Sequence, residues 1–181
     1  MDTEGKQGSF KGIFIVMIIS LLIAFLWNSV SFIKDGAHAI LNPTAGVLLN
    51  LNLTWGMIII VFMIAIFMTL IQKYATDQKT LKEMKKEQKL LGEEMKKYRE
   101  HPEKMIELQK KQFESIPRMM KISMRPIIYT AIPLILFFRW FMDYFAAIGD
   151  PRFFGFLSWF WFYLIGSILF SSILRKVLKV A

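Results

Sequence analysis

The sequence contains no cysteine. Disulfides and thiolate metal sites are therefore excluded, whichever compartment any part of the chain meets. Histidine is almost as scarce. His38 and His101 stand far apart in loop-like contexts, where a structural or solvent-exposed role is expected instead of a metal site. Nucleophile–base pairs, Gly-rich phosphate loops and paired carboxylates are also missing from the apolar segments, so nothing argues for an enzyme and no cofactor is expected. Acidic residues are few, 14 against 23 Lys and Arg, for a net charge of +9. That balance alone would suit nucleic acid, but the placement of the charges points elsewhere, and no DNA partner is expected.

Apolar residues make up 55% of the 181, with 17 Phe and 12 Met, and the mean hydropathy is +0.42. They gather into four segments, Gly12–Ile33, Trp55–Ile71, Ile127–Ile148 and Phe153–Leu174. Each is long enough, at 1.5 Å per helical residue, to cross about 30 Å of hydrocarbon. The chain thus reads as an all-α integral membrane protein. Its units are an N-terminal membrane anchor helix (1–34), an outer loop (35–54), a membrane helix (55–72), a charged stretch (73–125), membrane helices at 126–148 and 153–174, and a basic tail (175–181). The basic start and "AHA" at Ala37–Ala39 also resemble a signal peptide, but the apolar run exceeds the usual 7–15 residues of such a segment, so an uncleaved anchor is expected. Pro133 is expected to kink the third segment.

Fifteen basic residues lie between Lys73 and Arg125; Lys6, Lys11, Arg175, Lys176 and Lys179 bring that side to twenty, against Lys34 and Arg152 on the other. The positive-inside rule then places both termini and the charged stretch in the cytoplasm and the protein in the cell membrane. Within that stretch Tyr74, Asp77, Leu81, Met84, Gln88, Leu91, Met95 and Tyr98 alternate spacings of three and four, a heptad seam. Pro102 turns the chain, and Met105, Leu108, Gln112, Ser115, Met119 and Ile122 repeat the pattern. An antiparallel coiled-coil hairpin is expected. Beside the second seam, Ile106, Phe113, Ile116 and Met120 widen the apolar face beyond what one partner helix covers. Methionines suit surfaces that accept varied apolar partners, so Met105, Ile106, Phe113, Ile116, Met119, Met120 and Met124 are the candidate partner-binding residues. The hairpin's basic excess also suits anionic lipid.

Polar residues inside the apolar segments are the other candidates. Arg139 and Asp143 lie in the third segment, where each charge costs roughly 2.5–3.5 kcal/mol on insertion scales. Four residues apart, they share a helical face, so either they form a self-neutralising pair or Arg139 lines a wet groove. Thr69, Gln72, Tyr129, Thr130, Ser158, Ser167 and Ser171 are further groove candidates.

The order of parts, carried by "KYATDQKTLKEMKKEQK", "MRPIIYTAIPLILFFRWF" and "LSWFWFYLIGSILFSSILRKVLK", resembles the YidC-like membrane insertase superfamily. It is most similar to the archaeal branch related to subunit three of the ER membrane protein complex. The resemblance covers about residues 55–180 and implies a three-helix insertase core to which the N-terminal helix is added. It further implies a cytoplasm-facing hydrophilic groove that accepts substrate transmembrane segments, and a hairpin that meets substrate or delivery machinery. Partners would be newly made membrane proteins, with a ribosome, a targeting factor or another membrane subunit delivering them. Bacterial relatives carry a groove arginine in the helix before the hairpin, whereas Trp55–Ile71 has no charge. An oligomeric cation channel, or a scaffold or receptor docking a soluble partner through the hairpin, is the alternative.

Overall fold

The computed structural model describes residues 10–180; residues 1–9, with Lys6, and Ala181 lie outside the described residues. Among the described residues eight α-helices follow one another: α1 (Phe10–Leu26), α2 (Ser31–Leu41), α3 (Val47–Leu51), α4 (Leu53–Ala75), α5 (Gln78–Lys97), α6 (Pro102–Ser123), α7 (Arg125–Ala147) and α8 (Trp159–Val177). A π turn, Asn42–Gly46, joins α2 to α3. Among the described residues there is no strand, only one bridge between Phe153 and Leu157 in the α7–α8 turn.

The first apolar segment does not run as one helix to Ile33. Asn28 and Ser29 compete for backbone hydrogen bonds and favour turns, so α1 ends at Leu26 and the chain bends by 93° into α2. The expected outer loop is correspondingly helical over most of its length. Pro43 lacks an N–H and sits at the start of the π turn, where Thr44 Oγ1 bonds back to Ile40 O at 2.8 Å. Asn52 then leaves the helical conformation and caps α4, its Oδ1 accepting from Trp55 N at 3.0 Å.

Helices α4, α7 and α8 are each long and apolar enough to cross a bilayer, and α1 reaches that standard only together with the bent α2–α3 segment. Helix α1 runs parallel to α7: a Cβ on Gly12 would sit 3.5 Å from Ile128, and Trp27 bonds Asp143 at the other end. Helices α4 and α8 run the opposite way and pack tightly, since a Cβ on Gly166 would come within 3.1 Å of Val61. Helix α7 lies between α1 and α4. The start of α1, the hairpin and Lys179 therefore share one end of the bundle, where Lys82 Nζ reaches Lys179 O at 3.5 Å.

The core sits in the half away from the hairpin. Trp140, Phe141 and Phe145 of α7 are fully buried there among Leu41, Leu49, Met57, Val61, Phe153, Phe162 and Tyr163. Trp159 stacks on Phe145 with the rings 3° from parallel, and Phe138 meets Tyr163 edge-on at 4.9 Å. Helices α7 and α8 keep their backbones apart and are joined by these rings.

Candidate functional site

Asp143 does not pair with Arg139. One carboxylate oxygen of Asp143 accepts from Trp27 Nε1 at 2.9 Å and contacts His38 Nε2 at 3.1 Å and Lys34 Nζ at 3.2 Å. The bend after Leu26 brings these three donors onto the α7 face that carries Asp143, and three convergent partners outcompete one neighbour on the same helix. His38 is thus a helical residue tied to a carboxylate, not part of a loop. Two further bonds extend the attachment along the same face: Trp140 Nε1 to Asn42 Oδ1 at 2.8 Å, and Tyr144 OH to Asn50 Oδ1 at 2.6 Å. The α2–α3 segment is strapped to α7 by polar side chains, half-buried at Lys34 and His38 and exposed at Asn42 and Asn50, whose sequence separations from their partners exceed ninety residues.

Arg139 instead places its guanidinium over the Trp27 ring, 5.7 Å from the centroid, and its Nε is buried without a hydrogen-bond partner. Trp27 is itself fully buried. It therefore serves both charges at once, its N–H on the anion and its ring face on the cation.

The groove candidates do not gather on one wall. Thr69 is 2% exposed and donates to Ala65 O at 2.6 Å, so it faces the packed interior instead of an open groove. Thr130 and Ser167 likewise spend their hydroxyls on their own helices, on Pro126 O and Leu164 O. Ser158 lies at the α8 start, in the half away from the hairpin with Arg139. Gln72, Tyr129, Thr130, Ser167 and Ser171 occupy the hairpin half, and among them Tyr129 is exposed. That half lacks the α7–α8 ring contacts of the core.

The hairpin arms α5 and α6 pack against each other, antiparallel. Asp77 caps α5, accepting from Thr80 N at 3.2 Å, and Pro102 opens α6. Pro117 is accommodated inside α6 without ending it. The seam residues turn inward: Leu81 and Leu108 are buried, and Met84, Leu91, Met95, Met105, Met119 and Ile122 are half-buried. The neighbouring stripe does not. Ile106 is 66% exposed, Phe113 69% and Met120 38%, while Ile116 and Met124 are half-buried. On the opposite flank a cleft of about 810 Å³ runs between the arms, lined by Thr80, Met84, Leu91, Lys111, Glu114 and Arg118 among others. Along α6 the Lys111 ammonium, 2.7 Å from Glu107, holds that carboxyl below its usual range through their hydrogen bond and charge. Among the described residues no three His, Asp or Glu gather to hold a metal ion.

Residues 38–153 match the family described as integral membrane protein EMC3/TMCO1-like. The chain belongs to that family. The match begins inside α2 and ends in the α7–α8 turn, so it takes in most of the strap, α4, the hairpin and α7, and it leaves α1, Lys34 and α8 outside. No curated protein and no solved structure matches the chain. Membership of this EMC3/TMCO1-like family associates the protein with membrane protein insertion or a related membrane function, and agrees with a relative of the YidC-like insertase superfamily.

Trp27, Lys34 and His38 carry the polar centre; sequence reasoning gave His38 a structural or solvent-exposed role, counted Lys34 only as a cation of the outer side, and passed over Trp27. A signal was present: "WNSV" interrupts an apolar run, and "SFIKDGAHAIL" after it has the alternation of a half-buried helix.

Proposed function

We propose that this EMC3/TMCO1-like protein is a membrane protein insertase, working from a cytoplasmic hairpin end in the cell membrane. The observation that carries the reading beyond family membership is the Ile106–Phe113–Met120 stripe. It is an apolar face on a charged hairpin, exposed while Leu81 and Leu108 of the seams beside it are buried. Such a face offers passing apolar helices a transient contact before they enter the bilayer. In this scheme the substrate arrives as a newly made membrane protein, brought by a ribosome, a targeting factor or another membrane subunit, and the basic hairpin end keeps to anionic lipid.

From the hairpin the substrate helix passes to the hairpin half of the bundle, where Gln72, Tyr129, Thr130, Ser167 and Ser171 lie and the aromatic filling between α7 and α8 stops. A wet opening there shortens the hydrocarbon path for the substrate's polar flank. Burial of its apolar helix in lipid supplies the driving force, with no nucleotide. Site-specific photocrosslinking tests this. A probe at Phe113 and one at Gln72 should each capture a newly made membrane protein during its insertion into vesicles, in that order of time. Absence of both adducts, or capture of soluble chains equally well, would overturn the reading.

A further inference from the structure

Helix α1 is apolar on every side, yet it packs along one span alone in any strength, α7, and shows Phe14, Ile15, Met17, Ile18, Leu21, Leu22 and Phe25 to the outside. Its interface is poorly satisfied. Ser20, 4% exposed in the middle of α1, has a buried hydroxyl with no partner, and Arg139 Nε beneath Trp27 has none either. A helix pair formed for permanent strength in lipid pairs such groups or omits them. The α4–α8 pair does the former, its Thr69 and Ser167 hydroxyls bonding Ala65 O and Leu164 O, and it closes Gly166 onto Val61. At its end α1 is fastened by Trp27 to Asp143 and continues into the non-helical residues 27–30, which give it a joint. The family match starts beyond this joint, at residue 38, so α1 lies outside the matched residues, as α8 does at the other end.

We propose that α1 is a displaceable gate, and that the face of α7 it covers is a docking track for one transmembrane helix of a substrate. The track's present occupant is a 17-residue apolar helix, which shows what the surface accepts. A substrate helix of the same kind, bearing a hydrogen-bonding side chain level with Arg139, replaces α1 and satisfies the guanidinium that α1 leaves short. During exchange α1 pivots about residues 27–30 while the strap from Lys34 to Asn50 stays on α7, because its bonds to Asp143, Trp140 and Tyr144 do not involve α1. The proposal rests on the insertase reading for the identity of the incoming helix.

The cysteine-free sequence makes the test direct. Cysteines at Gly12 and Ile128, where a Gly12 Cβ would lie 3.5 Å from Ile128 Cδ1, are chosen to pin α1 to α7, with cross-link formation read on a non-reducing gel. Cysteines at Val61 and Gly166, where the Cβ positions lie 3.8 Å apart, pin α4 to α8 as a control within disulfide reach. In the full chain reconstituted into vesicles, oxidation of the first pair should abolish insertion of a single-span protein and reduction should restore it, while the oxidised control stays active. Normal insertion by the chain oxidised at 12 and 128 would overturn the gate. A second measurement does not need insertion activity. Adding a synthetic apolar single-span peptide bearing one glutamine should lower the yield of the 12–128 cross-link severalfold and leave the 61–166 yield unchanged. An unchanged 12–128 yield would overturn the gate, whereas an inactive reduced chain would strike the insertase reading and leave the yield assay to decide the gate.

Discussion

Arg139 and Asp143 show what a single helix's spacing can and cannot tell. Four residues apart in an apolar span, they invite pairing, but Asp143 is taken by Trp27, Lys34 and His38. Replacing Asp143 with leucine should cost about 1–3 kcal/mol, the penalty for stranding the buried indole N–H with smaller losses at the half-exposed Lys34 and His38. Adding Arg139→Leu should not recover that loss, whereas adding Trp27→Phe should recover part of it by removing the stranded donor. A stability titration in detergent checks this, and full rescue by Arg139→Leu would restore the self-paired arrangement. At Gly56 the constraint is steric. A Cβ there would collide with the backbone carbonyl of Leu48, a contact that cannot rotate away. Gly56→Ala should therefore lower stability by about 1–3 kcal/mol through separation of α3 from α4, while Gly36→Ala, in open space, should not. The sequence carries no local mark that distinguishes these two glycines, because the neighbour that matters is a backbone from another helix.

At the scale of the element, periodicity was informative where a helix has one buried face. From Leu81 on, the alternating seams of α5 and α6 mark inward residues, down to the buried pair Leu81 and Leu108, whereas Tyr74, the first position of the expected seam, belongs to α4 and is 80% exposed. Residues beside the seam are the ones whose environment separates, and Met119 and Met120 divide: Met119 turns into the hairpin and Met120 lies on the exposed stripe. Changing Phe113 and Met120 to glutamate should leave the hairpin's helicity and melting intact, since neither fills the seam, and should reduce capture of substrate. Leu108→Ala should do the reverse at first, loosening the hairpin by about 2–5 kcal/mol. Circular dichroism with a crosslinking assay separates the two, and a Phe113/Met120 variant that captures substrate normally would make the stripe ordinary surface. The elements that escaped sequence reading are those without a long period. Helix α2 has eleven residues and α3 five, broken by Pro43 and Asn52, and both owe their positions to polar contacts with α7.

For the whole molecule, four apolar segments and their charged interruptions were enough to expect an all-helical membrane protein, because bilayer thickness sets segment length and the backbone must satisfy itself. Which helix lies beside which was not legible, since lipid-facing and helix-facing surfaces are equally apolar; α1 against α7 and α4 against α8 depend on small residues and on single polar contacts. Sidedness follows from a different force. The start of α1, the hairpin and Lys179 share one end of the bundle, and that end holds nearly all the Lys and Arg. At the other end Lys34 is occupied by Asp143, which leaves Arg152, whose Nη1 meets Phe156 O at 3.4 Å, as the cation of the α7–α8 turn. Basic residues resist transfer across the membrane, so the hairpin end should be cytoplasmic. Single cysteines, introduced into a chain that has none, report on this directly. In intact cells a membrane-impermeant thiol reagent should label Pro151→Cys in the exposed α7–α8 turn and should reach Lys97→Cys or Lys179→Cys only after the cells are opened. Labelling of Lys97→Cys from outside would invert the protein, place the exposed Phe113 stripe away from newly made chains, and remove the insertase reading with it.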